Sequence, residues 1–159
     1  MGHFSYLAQQ ALIASDRVAR SFGSHQVQSD HLLFALLMYR ESTAAKIMES
    51  LGLRQADLGE LHRVAEDGPR ARRDRSGFSR ETKRVLRRAV REGDGTEPVT
   101  TPDVLAALLE TGTGPAVRAL GERGVTAEAV RAEAARQPAV DPTGLAGANP
   151  LPPSDDIAS

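Results

Sequence analysis

Val27-Gln-Ser-Asp-His-Leu-Leu-Phe-Ala-Leu-Leu37 and Val99-Thr-Thr-Pro-Asp-Val-Leu-Ala-Ala-Leu-Leu109 are two versions of one stretch, 72 residues apart. Each opens on hydroxyl and acidic residues suited to a helix start and then runs apolar on most sides, the pattern of a buried helix. In the first version Ser29 is read as the N-cap and Asp30 as a first-turn acid favoured by the helix dipole. In the second, Thr101 is read as the N-cap, with Pro102 at the first helical position.

The repetition extends outward. Leu7, Ala8, Ala11, Leu12, Ser15, Val18, Ala19 and Phe22 recur at helical spacing, predicting an amphipathic helix that ends near Gly23. Residues 42–51 and 55–66 read as two shorter helices parted by Gly52-Leu53. Phe78-Ser79 stands before Val85, Leu86, Ala89 and Val90 as Phe4-Ser5 stands before the first helix, at an offset of 74, and Gly124-Val125 repeats Gly52-Leu53 at an offset of 72. The change of offset places a two-residue deletion in the turn around Gly93–Pro98, and Thr126 is positioned to cap the last helix. The chain is an internal duplication. The expected fold is all-α: two tandem four-helix repeats, 4–66 and 78–136, packed as one pseudo-twofold domain. A basic loop, 67–77, joins them, and a Pro-rich tail, 137–159, is expected to be disordered.

Composition narrows the functional classes. The 159 residues carry 20 basic and 21 acidic groups and no cysteine, so a disulfide framework or Cys-ligated metal site is excluded. No apolar run approaches the roughly 18–20 residues of a membrane span, and the N-terminus lacks a signal-peptide pattern; a cytoplasmic location is expected. There is no G-x-x-x-x-G-K-[ST], and Gly112-Thr-Gly114 lacks the lysine that would reach a phosphate. With no nucleophile constellation, and with His31 lacking a second ligand at metal spacing, no enzyme activity, cofactor or metal is expected.

Phe4-Ser-x-x-Ala8-Gln, Ser29-Asp-His-Leu-Leu33, Ala44-Ala45 and Leu51-Gly52-Leu53, repeated with variations after Phe78, resemble the duplicated N-terminal domain of the Clp/Hsp100 unfoldases, closest to the ClpC branch. The likeness covers residues about 4–136. It implies a stand-alone Clp repeat domain without the AAA+ ATPase modules: a non-catalytic module that captures substrate or adaptor proteins in the groove between its repeats. Such a module would modulate a Clp protease system as adaptor, competitor or decoy. A Clp unfoldase and cyclic peptides that target such domains are the further partners implied.

The resemblance also implies a chemistry. Gram-positive relatives read phosphoarginine, a carboxylate pairing with the guanidinium while a helix N-terminus and a hydroxyl hold the phosphoryl group. Ser5 and Asp30 match the hydroxyl and carboxylate of a first pocket. Ser79 matches the hydroxyl of a second, where Pro102 takes the carboxylate position and Asp103 that of the motif histidine. Each has a plainer reading beside it: Asp30 as a first-turn acid, the hydroxyls as caps, His31 as a hydrogen-bonding core residue.

Between residues 69 and 91 ten cations face two acids. Arg72, Arg73, Arg80, Arg84, Arg87 and Arg88 are the candidate docking surface for an acidic protein, with a solvated face as the plainer reading. Nucleic-acid binding by this segment is the alternative function; no aromatic interleaves except Phe78, which the repeat assigns to packing.

Overall fold

The computed structural model describes residues 3–72, 75–93, 95–137 and 140–141. Eight helices lie among them: α1 (Tyr6–Ser21), α2 (Ser29–Met38), α3 (Thr43–Ser50), α4 (Gln55–Glu66), α5 (Arg80–Glu92), α6 (Thr101–Thr111), α7 (Pro115–Glu122) and α8 (Ala127–Ala135). The second four repeat the first four in order. Helix α5 has 13 residues against the 16 of α1, so the deletion falls where that helix ends. Gly52 and Gly124 take φ of +99° and +88°, the left-handed turns that stop α3 and α7.

The halves are tied by exchange. Phe4 forms a parallel bridge with Val99, and Phe78 forms the equivalent bridge with Val27. The Ser5 N–H donates to the Val99 carbonyl (2.8 Å) and the Ser79 N–H to the Val27 carbonyl (2.9 Å). Each half's entry segment therefore pairs with the other half, which is the pseudo-twofold relation in hydrogen bonds. Helices α2 and α6 meet at the centre, α3 packs on α6 and α8, and α7 packs on α2 and α4. Leu32, Leu33, Leu36, Leu105 and Leu108 are essentially inaccessible, each such burial stabilising the fold by about 1.5–3 kcal/mol.

Two caps differ from the sequence reading. Gln28 and Thr100 are the N-cap residues of α2 and α6, so Ser29 and Thr101 are first helical residues and Pro102 is the second. The reason is tertiary. Both hydroxyls accept from the opposite half: Ser29 Oγ from the Gly114 N–H (3.1 Å), and Thr101 Oγ from the Ala44 N–H (3.0 Å). Ser5, Ser79 and Thr126 do cap their helices, accepting from Ala8, Thr82 and Ala129.

The symmetry fails between α4 and α8. Helix α8 packs on α6 as well as on α3. Its counterpart α4 leaves a groove against α1 and α2. Phe34 and His62 stand where Ala106 and Ala134 stand 72 residues later, and the aromatic rings act as a wedge. Phe22 holds them in place, its ring 4.6 Å from that of His62 and 5.8 Å from that of Phe34.

Residues 138–139 and 142–159 of the tail lie outside the described residues. Asp141 departs from the expectation for this segment: it is buried and hydrogen-bonded to Ser5 and Thr43 of the first half and to Thr101 of the second.

Candidate functional site

Asp30 opens α2 and points across the pseudo-twofold axis at the first turn of α7. Its carboxylate accepts from the Ala116 N–H (3.0 Å) and the Val117 N–H (3.1 Å), amides that have no partner within their own helix. Gly114 is the N-cap of α7 because nothing larger fits: a Cβ there would lie 2.2 Å from Asp30 Oδ1. Burial raises the Asp30 pKa above the usual carboxylate range, the two amides oppose that shift, and Glu81 adds to it. Glu81 sits at the mouth of this pocket, accepting from the Thr113 N–H and hydroxyl and from Ser29 Oγ (3.4 Å). Only about 40 Å³ remains open between these groups.

At the opposite end of the molecule's symmetry, Ser5 meets Thr101 and the start of α3. Asp141 occupies the centre: its Oδ2 accepts from Ser5 Oγ (2.9 Å) and from the Thr101 N–H, and its Oδ1 from Thr101 Oγ (2.6 Å) and the Thr43 N–H (3.2 Å). The candidate residues are thus regrouped. Ser5 belongs with Thr101, Thr43 and Asp141, whereas Ser79 is tied to the segment before α2, its N–H donating to the Val27 carbonyl. Ser5 and Asp30, matched to one pocket in the sequence, sit in separate networks. The exchange of entry segments is the cause. Asp103 accepts the Thr100 N–H (2.9 Å), closing the capping box of its own helix.

His31 fills the role in α2 that Asp103 fills in α6, its Nδ1 accepting the Gln28 N–H (2.9 Å). It is buried beside Phe22, ring centroids 5.3 Å apart. Burial pushes its pKa down to about 4, with Arg70 adding to the fall and a hydrogen bond to the Gln26 backbone opposing it.

Arg80, Lys83, Arg84, Arg87 and Arg91 form an exposed stripe along α5, at spacings that keep them on one side of a helix. Arg72 is exposed in the preceding loop, and Arg73 lies outside the described residues. Arg88 is withdrawn from the stripe by Glu92 (2.9 Å) and Glu110 (3.3 Å). Arg70 is pinned against the Phe22 and Glu66 carbonyls.

The groove between α1, α2 and α4 encloses about 530 Å³ and is lined chiefly by Val18, Phe22, Phe34, Leu37, Met38 and Leu58. Met38, at its rim, is half exposed. The sequence reading expected a groove between the repeats, whereas this one is lined wholly by the first half, and it missed Asp141. The signals were the departures from the repeat: Phe34 against Ala106, His62 against Ala134, and Pro102 where Asp30 has a carboxylate. Among the described residues no three His, Asp or Glu side chains are grouped to hold a metal ion, and no helix is long and apolar enough to cross a membrane.

Two four-helix halves that exchange entry segments and cap each other's helices define a duplicated helical module with one open apolar groove. The Clp repeat (R) N-terminal domain family matches residues 3–97, more than half of the chain, and the chain belongs to that family. The chaperone protein ClpB of Oceanobacillus iheyensis is 28% identical over 133 residues, which cover 82% of this chain and 16% of that protein. The chain therefore spans about a sixth of that relative's length. Among solved structures, the N-terminal domain of ClpD from Arabidopsis thaliana matches with a TM-score of 0.64 at 21% identity, over 83% of this chain and 92% of that one. The Hsp104 N-terminal domain from Candida albicans matches with a TM-score of 0.65 at 16% identity, over 84% and 89%. These likenesses are of fold. The module is related to the N-terminal domains of the Clp chaperones.

Proposed function

We propose that this chain receives apolar segments of substrate or adaptor proteins in the groove between α1, α2 and α4, and so modulates a Clp unfoldase as adaptor, competitor or decoy. The observation that carries this reading is the groove itself: the Phe34 and His62 wedge keeps it open where the second half of the fold is closed. An open apolar cleft with a flexible methionine at its rim suits varied apolar side chains. In this reading the chain is not an enzyme, and a Clp unfoldase, its adaptors and cyclic peptides that target such domains are its partner classes. The test is fluorescence anisotropy with a labelled apolar peptide. Met38→Asp should weaken binding about tenfold or more, since a desolvated carboxylate would line the cleft; unchanged affinity sinks the groove reading.

Phosphoarginine recognition is the finer form of the proposal. Ser5 and Asp30, with Ser79 and Asp103, would supply its hydroxyls and carboxylates, but each already serves a helix start, so a mark has to displace those bonds. Calorimetric titration with phosphoarginine, against arginine and phosphate as controls, tests it. Asp30→Asn, which keeps an acceptor for α7, should abolish a response specific to phosphoarginine.

A second reading rests on the α5 stripe. Five exposed cations on one helix suit an anionic surface, an acidic protein first and nucleic acid as the alternative. Affinity for duplex DNA that falls steeply with salt, and is lost in an Arg84→Ala/Arg87→Ala variant, would favour nucleic acid; no measurable binding at low salt disposes of it.

A further inference from the structure

The pocket at the starts of α3 and α6 is built for an anion, and the chain fills it with a residue from its own C-terminal segment. Four donors converge there: Ser5 Oγ, the Thr43 N–H, the Thr101 N–H and Thr101 Oγ. Ser5, Thr43 and Thr101 are at most 7% exposed. Each carboxylate oxygen of Asp141 accepts two of these bonds, which uses the acceptor capacity of an ionised carboxylate. The Asp141 N–H completes the seat by donating to Thr43 Oγ (2.6 Å). The occupant comes from 40 to 136 residues away in sequence, so the pocket does not create it locally.

The pseudo-symmetric position explains why an outside carboxylate is needed. At the other end Asp30, on α2 itself, caps α7. Its counterpart on α6 is Pro102, which has no acceptor to offer α3. Without Asp141 the two hydroxyls and two amides would be buried with no anion to accept from them, an unfavourable arrangement for each donor. Asp141 reaches them by adopting φ +50°, the one positive φ of a non-glycine residue among the described residues.

We propose that Asp141 is an intramolecular ligand: its carboxylate occupies this oxyanion pocket in cis, and a carboxylate or phosphoryl group from a partner enters only by displacing it. No cation lines the pocket among these contacts, so the class of ligand is set by hydrogen-bond donors and two helix starts rather than by ion pairing. The proposal shares Ser5 with the phosphoarginine reading. It does not depend on a guanidinium being recognised.

The experiment follows the Thr43 and Thr101 amide resonances of the full chain during titration with inorganic phosphate and, separately, acetate. In the wild type these amides should stay fixed at concentrations where Asp141→Ala shows saturable shifts, with an apparent affinity at least tenfold tighter. Adding Thr101→Val to Asp141→Ala should remove the response. If Asp141→Ala does not fold, Asp141→Asn, which keeps the size and one acceptor, takes its place and should still bind more tightly than the wild type. Asp141 variants that bind neither anion better than the wild type would make Asp141 a structural clamp only and overturn the proposal. Phosphate binding by the variant with no preference for phosphoarginine would leave it standing while removing the phosphoarginine reading.

Discussion

Asp30 and His31 are neighbours at the start of α2 and respond to pH in opposite senses. The unfolded chain protonates His31 near 6.5, whereas in the fold burial holds it neutral until about 4. Between those values the unfolded state binds more protons, so stability falls as pH drops from 6.5 to 4, by up to about 3 kcal/mol. Asp30, raised by burial, takes up its proton earlier in the fold than in the unfolded chain and partly offsets that loss at the acid end. Urea denaturation across this range checks the sign: His31→Asn, which keeps an acceptor for the Gln28 N–H, should show a flatter profile. The carboxylate's structural role is tested separately. Asp30→Asn should cost about 1–2 kcal/mol by weakening the bonds to Ala116 and Val117. Gly114→Ala should cost about 1–3 kcal/mol, since its Cβ would overlap Asp30 and force one of two packed helix starts aside. Equal midpoints for wild type and Gly114→Ala would contradict this packing.

At the scale of elements, the two halves spend similar helices differently. Helix α8, rich in alanine, closes on α6 and is clasped there by Arg131, which reaches Glu92 on α5 (3.0 Å) and Glu110 on α6 (2.9 Å). The Glu110 pKa is lowered first by its hydrogen bond to Arg131, and the Arg131 pKa is raised by the same bond. These side chains are between a quarter and a half exposed, so the clasp is screened. Arg131→Met should therefore lose only about 1 kcal/mol or less at low salt, and the difference from wild type should vanish in about 1 M salt. Helix α4 lacks that closure because Phe34 and His62 fill the space that alanines leave free in the other half. The same substitutions that break the symmetry open the groove.

For the whole molecule, the exchanged entry segments make each half incomplete alone. Val27 holds Ser79, Val99 holds Ser5, Asp30 caps α7, and Thr101 caps α3. A single cooperative transition is expected, with far-UV circular dichroism and calorimetry giving the same midpoint. Two resolved transitions would mean that the halves fold independently and that these crossing bonds are weak. In the proposed function the groove is the receiving surface, and the cation stripe on α5 is a separate feature of the same body.

The duplication, the repeated helices and the caps at Ser5, Ser79 and Thr126 were legible in the sequence, because apolar spacing and capping chemistry act over a few residues and repeat 72 to 74 positions later. Ser29 and Thr101 were misassigned by one residue because their hydroxyls answer to the opposite half, which local pattern does not contain. The grouping of Ser5 with Thr101 and Asp141, and of Asp30 with the start of α7, was hidden for the same reason. By itself the sequence determined the repeated helical unit and the residue types at each helix start. Only the tertiary structure decided which starts share a pocket, which half stays open and that Asp141 fills the place Pro102 leaves empty, since hydrogen bonds across the pseudo-twofold axis join residues that no spacing along the chain relates.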